Sequence, residues 1–119
     1  MTKHNRNLGI WGENAAEKFL HESGYEIINK NYRTPYGEID IICSKQENLV
    51  FVEVKTRKSR TYGNPEESIN QHKMEHMENS ANYYIQENEF SGTWQIDVIS
   101  IYKKDADQIE IVHFENVIS

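Results

Sequence analysis

Residues 37–58 read GEIDIICSKQENLVFVEVKTRK: two apolar runs, Glu38 to Ser44 and Leu49 to Arg57, on either side of polar Lys45 to Asn48. Their β-branched content and the short polar joint predict an antiparallel hairpin. Side chains alternate across a strand, so Val50, Val52 and Val54 share one face and Phe51, Glu53 and Lys55 the other. The same alternation separates Ile39, Ile41 and Cys43 from Glu38, Asp40 and Ile42. A slip of one residue would bury the charges, so the register is the one that puts both apolar sets on one side. It sets Asp40 opposite Glu53 and Glu38 opposite Lys55.

A ladder of cross-strand ion pairs, worth roughly 0.2–1 kcal/mol each, accounts for Glu38 facing Lys55. It does not account for Asp40 facing Glu53, because opposed carboxylates repel unless a cation or a shared proton lies between them. Hard oxygen ligands with open positions suit Mg²⁺ or Mn²⁺. Lys55, on the same face two residues after Glu53, then stands where it can hold or activate a water or stabilise charge at phosphorus. On these residues alone, a metal site and a solvated ion-pair ladder both stand.

Outward from the hairpin, Leu8, Trp11, Ala15, Phe19 and Leu20 recur at helical spacing, predicting a helix over 8–23 that Gly24 stops. Tyr25 to Asn29 is a short β-prone run, and Thr34-Pro35-Tyr36-Gly37 supplies turn chemistry. Asn64-Pro65-Glu66-Glu67 reads as the N-cap and acidic first turn of a second helix. Its stripe is Met74, Met77, Ala81, Tyr84 and Ile85, running toward Glu89 with a break near Gln71. Trp94 to Tyr102 and Gln108 to Phe114 read as two further strands. The order α-β-β-β-α-β-β predicts an α/β or α+β sandwich, helices against a mixed sheet, in a single domain over 1–119.

Thirteen Lys and Arg against 19 Asp and Glu give a net charge of −6, which argues against coating nucleic acid by bulk electrostatics and leaves only a local basic patch. Met1 to Gly12 is polar and contains two glycines. With no apolar h-region there, and no run near the roughly 18 apolar residues of a membrane helix, a cytoplasmic protein without membrane association is expected. One cysteine, Cys43, excludes an internal disulfide or a cysteine-cluster metal site, and reads as a small core hydrophobe.

Asp40 followed by Glu53-Val54-Lys55 on the next strand resembles the D…(D/E)xK signature of the restriction-endonuclease-like, or PD-(D/E)xK, nuclease superfamily. Gly12-Glu13, Ala15-Ala16, Gly24-Tyr25, Asn31-Tyr32-Arg33, Gly37-Glu38-Ile39-Asp40 and Phe51 to Arg57 resemble one bacterial family in particular, as do Gly63, Lys73, Ala81 and Asp97-Val98. That family is the YraN-like proteins, which look like Holliday-junction resolvases. The resemblance implies a restriction-endonuclease-like α-β-β-β-α-β core with Gln108 to Phe114 as an added C-terminal strand. It also implies a divalent metal (Mg²⁺ or Mn²⁺) on Asp40 and Glu53, the Val54 carbonyl as a further ligand, Lys55 as catalytic lysine and Glu13 as an assisting carboxylate. At about 100° per residue Glu13 borders the buried stripe beside Ala16 and Leu20. The family often has Arg where Gln95 stands here. If that Arg contacts phosphate, one contact is missing.

Lys55, Arg57, Lys58 and Arg60 place four cations within six residues, offering phosphate contacts beside the carboxylates. Arg33, Tyr32 and Tyr36 are candidates for phosphate and stacking contacts, and Lys73, between the second helix's stripe and its polar face, is a candidate nucleic-acid contact or else a surface lysine. His72-Lys73-Met74-Glu75-His76 matches H-x-x-E-H of zinc peptidases, but both histidines lie opposite the apolar stripe and no third ligand presents itself. The expected function is a metal-dependent nuclease on DNA, branched DNA included, as a homodimer where two strands must be cut. The alternative is a nuclease fold kept as a non-catalytic nucleic-acid-binding or interaction module.

Overall fold

The computed structural model describes residues 3–58, 69–105 and 108–118. Its elements are α1 (Lys3–Glu22), β1 (Glu26–Thr34), β2 (Gly37–Lys45), β3 (Asn48–Arg57), α2 (Gln71–Glu87), β4 (Trp94–Asp105) and β5 (Gln108–Phe114). The expected order of helices and strands stands. Gly24, at φ 92, takes the left-handed turn that ends α1. α2 opens at Asn70, whose extended backbone and side chain cap the Lys73 N–H at 2.9 Å. The start expected at Asn64 to Glu67, and Gly63, lie outside the described residues.

The five strands form one sheet in the order β1-β2-β3-β4-β5, antiparallel throughout except for the parallel β3–β4 pair. A parallel pair needs a long crossover, and α2 lies within it. α1 covers one face, with Ala16 and Leu20 packed among Ile41, Cys43, Val50, Val52, Ile99 and Ile101. On the other face Ala81 and Tyr84 of α2 pack with Ile42, Leu49, Phe51 and Ile96. The result is an α/β domain with a mixed sheet between two helices. No helix among the described residues is long and apolar enough to cross a membrane.

Coverage of both faces corrects the one-sided hairpin. Phe51, expected on a charged face with Glu53 and Lys55, is 1% exposed and meets the rings of Tyr84 and Trp94 at 5.5 and 5.7 Å. Ile39 packs in the α2-side cluster, away from Ile41 and Cys43. The two runs are nearly continuous in apolar residues because a sheet buried on both sides needs them so. The register itself agrees with expectation, pairing Ile41 with Val52 and Cys43 with Val50. The joint is tighter than the expected 45–48 loop, since Lys45 pairs with Asn48 and only Gln46 and Glu47 turn, at φ 51 and 67. Two consecutive positive φ values are the mark of a type I′ hairpin turn.

β1 is longer than the expected 25–29 strand, reaching Thr34 through an irregularity between Ile27 and Asn29 and a left-handed Asn31 at φ 53. Asn is β-disfavoured but tolerates φ > 0, which is why propensity ended the strand early. Thr34 and Gly37 close the β1–β2 turn, Thr34 Oγ1 donating to the Gly37 carbonyl at 2.7 Å.

Of the two glycines near the N-terminus, Gly12 has a packing reason. A Cβ there would collide with Thr56 Oγ1 on β3, whereas one on Gly9 would meet nothing within 4 Å. Gly12→Ala is expected to lower stability by about 1–3 kcal/mol by forcing α1 off the sheet. Gly9→Ala is expected to be neutral or to gain up to about 1 kcal/mol from helix propensity. Thermal melts of the two variants beside wild type test the contrast.

Candidate active site

Past the Ile41–Val52 pair the β2–β3 ladder ends, and the side chain of Asp40 takes over, with Oδ2 accepting the Val54 N–H at 2.8 Å. The expected opposition of Asp40 and Glu53 is the next step of the same register. Gly12 lets α1 sit against Thr56, which brings its neighbour Glu13 to the same end of the sheet. Carboxylate oxygens of Glu13, Glu38 and Asp40 lie within 4.8 Å of one another. The Asn31 side-chain amide donates to Glu13 Oε1 at 2.9 Å and to Glu38 Oε1 at 2.8 Å, tying two of the three together.

This arrangement revises the part given to Glu38. Expected opposite Lys55 as an ion pair, it instead joins Glu13 and Asp40. Lys55 Nζ lies 3.9 Å from Glu53 Oε1, and the same oxygen is held at 3.0 Å by Lys73 Nζ from the first turn of α2. Burial pushes the Asp40 carboxyl up to about 7; the Val54 N–H opposes the rise, and the charges of Glu13, Glu53 and Glu38 add to it. Burial also raises Glu53, while the Lys73 charge and hydrogen bond pull it back down. The two acids of the signature are therefore electrostatically unlike. Asp40 stands among other carboxylates, and Glu53 is paired with cations.

Two clefts meet at these acids. One, of about 400 Å³, opens toward α2 and is lined by Tyr36, Glu38, Asp40, Glu53, Lys73 and His76 among others. The second, of about 380 Å³, opens toward α1 and includes Glu13, Asp40, Glu53, Lys55 and Arg57. Lys58 is exposed at the end of β3, and Arg33 is exposed across the β1–β2 ladder from Glu38. Arg60 lies outside the described residues. Tyr36 is 50% exposed at the cleft lip, but Tyr32 is packed edge-on against Tyr84 at 5.0 Å, so it does not offer the free stacking face expected of it. His72 and His76 are exposed, as the wheel predicts, and their rings lie 4.7 Å apart.

Gln95 is not near the acids. It lies at the start of β4 opposite Val50, while Lys55 pairs with Ser100 toward the other end of the strand. Its Nε2 donates to Asp97 Oδ1 at 2.8 Å and its Oε1 accepts from Asn48 at 2.8 Å. Asp97 is fully buried and also accepts from the Asn116 N–H at 2.9 Å and His113 Nε2 at 2.7 Å. A cation at position 95 would meet a buried carboxylate.

Asn31 is the member of the site that sequence reasoning passed over in any functional role. Its one signal is an Asn inside a strand. Lys73 was expected as a substrate contact, and its grip on Glu53 was not foreseen, because the pairing depends on how α2 is capped.

With this geometry in view, the comparisons with known proteins are consistent among themselves. Residues 12–101 match the family described as "Uncharacterised protein family UPF0102". A UPF0102 protein of Syntrophomonas wolfei is 42% identical over 102 residues, covering 85% of this chain and 89% of that one. Another, from Moorella thermoacetica, is 41% identical over 86% of each chain, and one from Syntrophotalea carbinolica is 36% identical over 96% of this chain and 93% of its own. The chain belongs to the UPF0102 family, the YraN-like proteins.

The raised Asp40 has a measurable consequence. Between the ordinary value of 3.8 and about 7 the folded state holds a proton that the unfolded state has released, so without divalent cations stability falls as pH rises through that window. Asp40→Asn keeps an oxygen for the Val54 N–H and removes the charge. It is expected to be more stable than wild type by roughly 1–3 kcal/mol near pH 8 and to lose more than half of that advantage near pH 5. Denaturant unfolding in chelator at the two pH values checks this.

Proposed function

We propose that this protein is a divalent-metal-dependent nuclease of the restriction-endonuclease-like class that hydrolyses DNA phosphodiesters, branched DNA among its candidate substrates. The observation that carries the reading is Asp40, desolvated, tied to the Val54 N–H where β2 and β3 part, and set within 4.8 Å of two more carboxylates beside Lys55. Such a carboxylate is stabilised by a cation. The donors are all hard oxygens, which fits Mg²⁺ or Mn²⁺ and not a soft metal. Asp40 and Glu13 would hold it, with Glu53 and the Val54 carbonyl completing the set that the superfamily resemblance implies, and Glu38 adds a carboxylate within reach. When bound, the cation supplies Lewis-acid polarisation of the phosphoryl group and makes water acidic enough to attack near neutral pH.

The chain's own residues supply the rest. Lys55, partly exposed in the α1-side cleft, presents its ammonium to the attacking water and to charge developing at phosphorus. Arg57 in the same cleft and exposed Lys58 and Arg33 meet flanking phosphates, a local basic edge on an otherwise acidic protein. One such site cuts one strand, so a homodimer acts on duplexes or junctions, and the work belongs in the cytoplasm.

A second reading, a nucleic-acid-binding module without chemistry, is favoured by one observation: Lys73 already neutralises Glu53. A panel of four-way junction, flap, linear duplex, single strand and RNA, each with Mg²⁺ and with Mn²⁺, separates the two. Cation-dependent cutting that falls by about 100-fold or more in Asp40→Ala and Lys55→Ala is expected. Cutting that survives both substitutions would overturn the nuclease reading, and tight binding without any cutting would select the second.

A further inference from the structure

Lys73 stands in a place that the metal reading leaves unexplained. Glu53 is only 18% exposed at its side chain, and an ionised carboxylate so far from water needs a cationic partner. Lys73 Nζ supplies it at 3.0 Å, closer than Lys55 Nζ at 3.9 Å on the same oxygen. The Glu53 oxygens do not belong to the group of Glu13, Glu38 and Asp40 oxygens that lie within 4.8 Å of one another. Yet Glu53 lines both clefts along with Asp40, which puts it beside that group. The lysine belongs to a different element from Glu53. Its backbone is pinned by the Asn70 cap at the start of α2, and its flexible stem carries the charge across the α2-side cleft.

Resting on the metal-dependent reading above, we propose that Lys73 is an exchangeable counter-ion: it holds Glu53 while no divalent cation is bound, and moves to a backbone phosphate oxygen of the nucleic acid when Glu53 turns to the cation. Lys73 is then a positioning residue for Glu53 in one state and a phosphate ligand in the other. Lys55, on the strand itself, keeps its place in both. The exchange couples the two ligands. Releasing Lys73 by cation binding raises affinity for phosphate, and by linkage phosphate raises affinity for the cation by the same factor.

The test uses the full chain as wild type, Lys73→Met and Lys73→Arg. Mn²⁺ is titrated by calorimetry near pH 8, where carboxylates are ionised. Binding of fluorescently labelled junction and single-stranded oligonucleotides is then measured by anisotropy in chelator and in Ca²⁺. Lys73→Met is expected to bind Mn²⁺ about fivefold or more tighter than wild type, since no lysine has to leave Glu53. In the same variant the gain in oligonucleotide affinity on adding Ca²⁺ shrinks by a similar factor, and Lys73→Arg restores both values toward wild type. Equal Mn²⁺ affinity in all three proteins overturns the proposal. So does tighter Mn²⁺ binding with an undiminished Ca²⁺-dependent gain, which would make Lys73 a repulsive neighbour only. A wild type that binds no Mn²⁺ overturns the metal reading itself, and that failure is visible before any substitution is made. If Lys73→Met does not give a native melt, Lys73→Gln takes its place in the same measurements.

Discussion

The bond from the Val54 N–H to the Asp40 carboxylate sits where two paired strands stop being paired. A β-ladder that simply ended would leave an inward-facing amide without an acceptor, at a cost of about 1–3 kcal/mol if buried. The side chain of Asp40 closes that gap and in doing so is held in place, desolvated and crowded by like charge. Everything chemically distinctive about this end of the molecule follows from that substitution of a side chain for a backbone carbonyl.

The helices then determine which groups surround the fixed acid. α1 reaches β3 because Gly12 has no side chain, and that contact delivers Glu13. α2 packs through Ala81 and Tyr84 on the opposite face, and its cap at Asn70 aims the first turn, with Lys73, back at β3. Thus one helix contributes negative charge and the other positive charge to adjacent carboxylates of the same hairpin. The separation of the two signs comes from the layering of the fold, with a helix on each face of one sheet.

Much of this was legible in the residues. The hairpin register followed from alternation and from the charges at Asp40 and Glu53, and it survives because pairing parity allows no halfway slip. Gly24 as a helix stop and the Gln108–Phe114 strand were equally plain. The burial of Phe51 was not legible, since a continuous apolar run does not say whether a second helix will cover its other face. The recruitment of Glu38 by Asn31 was hidden for a related reason: it depends on a left-handed residue inside a strand, which no propensity scale anticipates. The place of Gln95 was hidden too, because a motif position carries no information about which end of a strand it occupies until the parallel register of β3 and β4 is known.

A second buried acid, Asp97, lies on β4 opposite Val52 of β3, and its contrast with Asp40 has a consequence for how the sheet opens. Asp97 is satisfied by Gln95, His113 and the Asn116 N–H, while the Val117 N–H returns to the Ile96 carbonyl, so Asn116 and Val117 are stitched to the start of β4. Asp40 has a single backbone donor and three acidic neighbours. Local opening free energy is therefore expected to fall along β3 from Asn48 toward Arg57. The sheet is then expected to open first beside Asp40, with amide protons near Val54 exchanging before those near Val50.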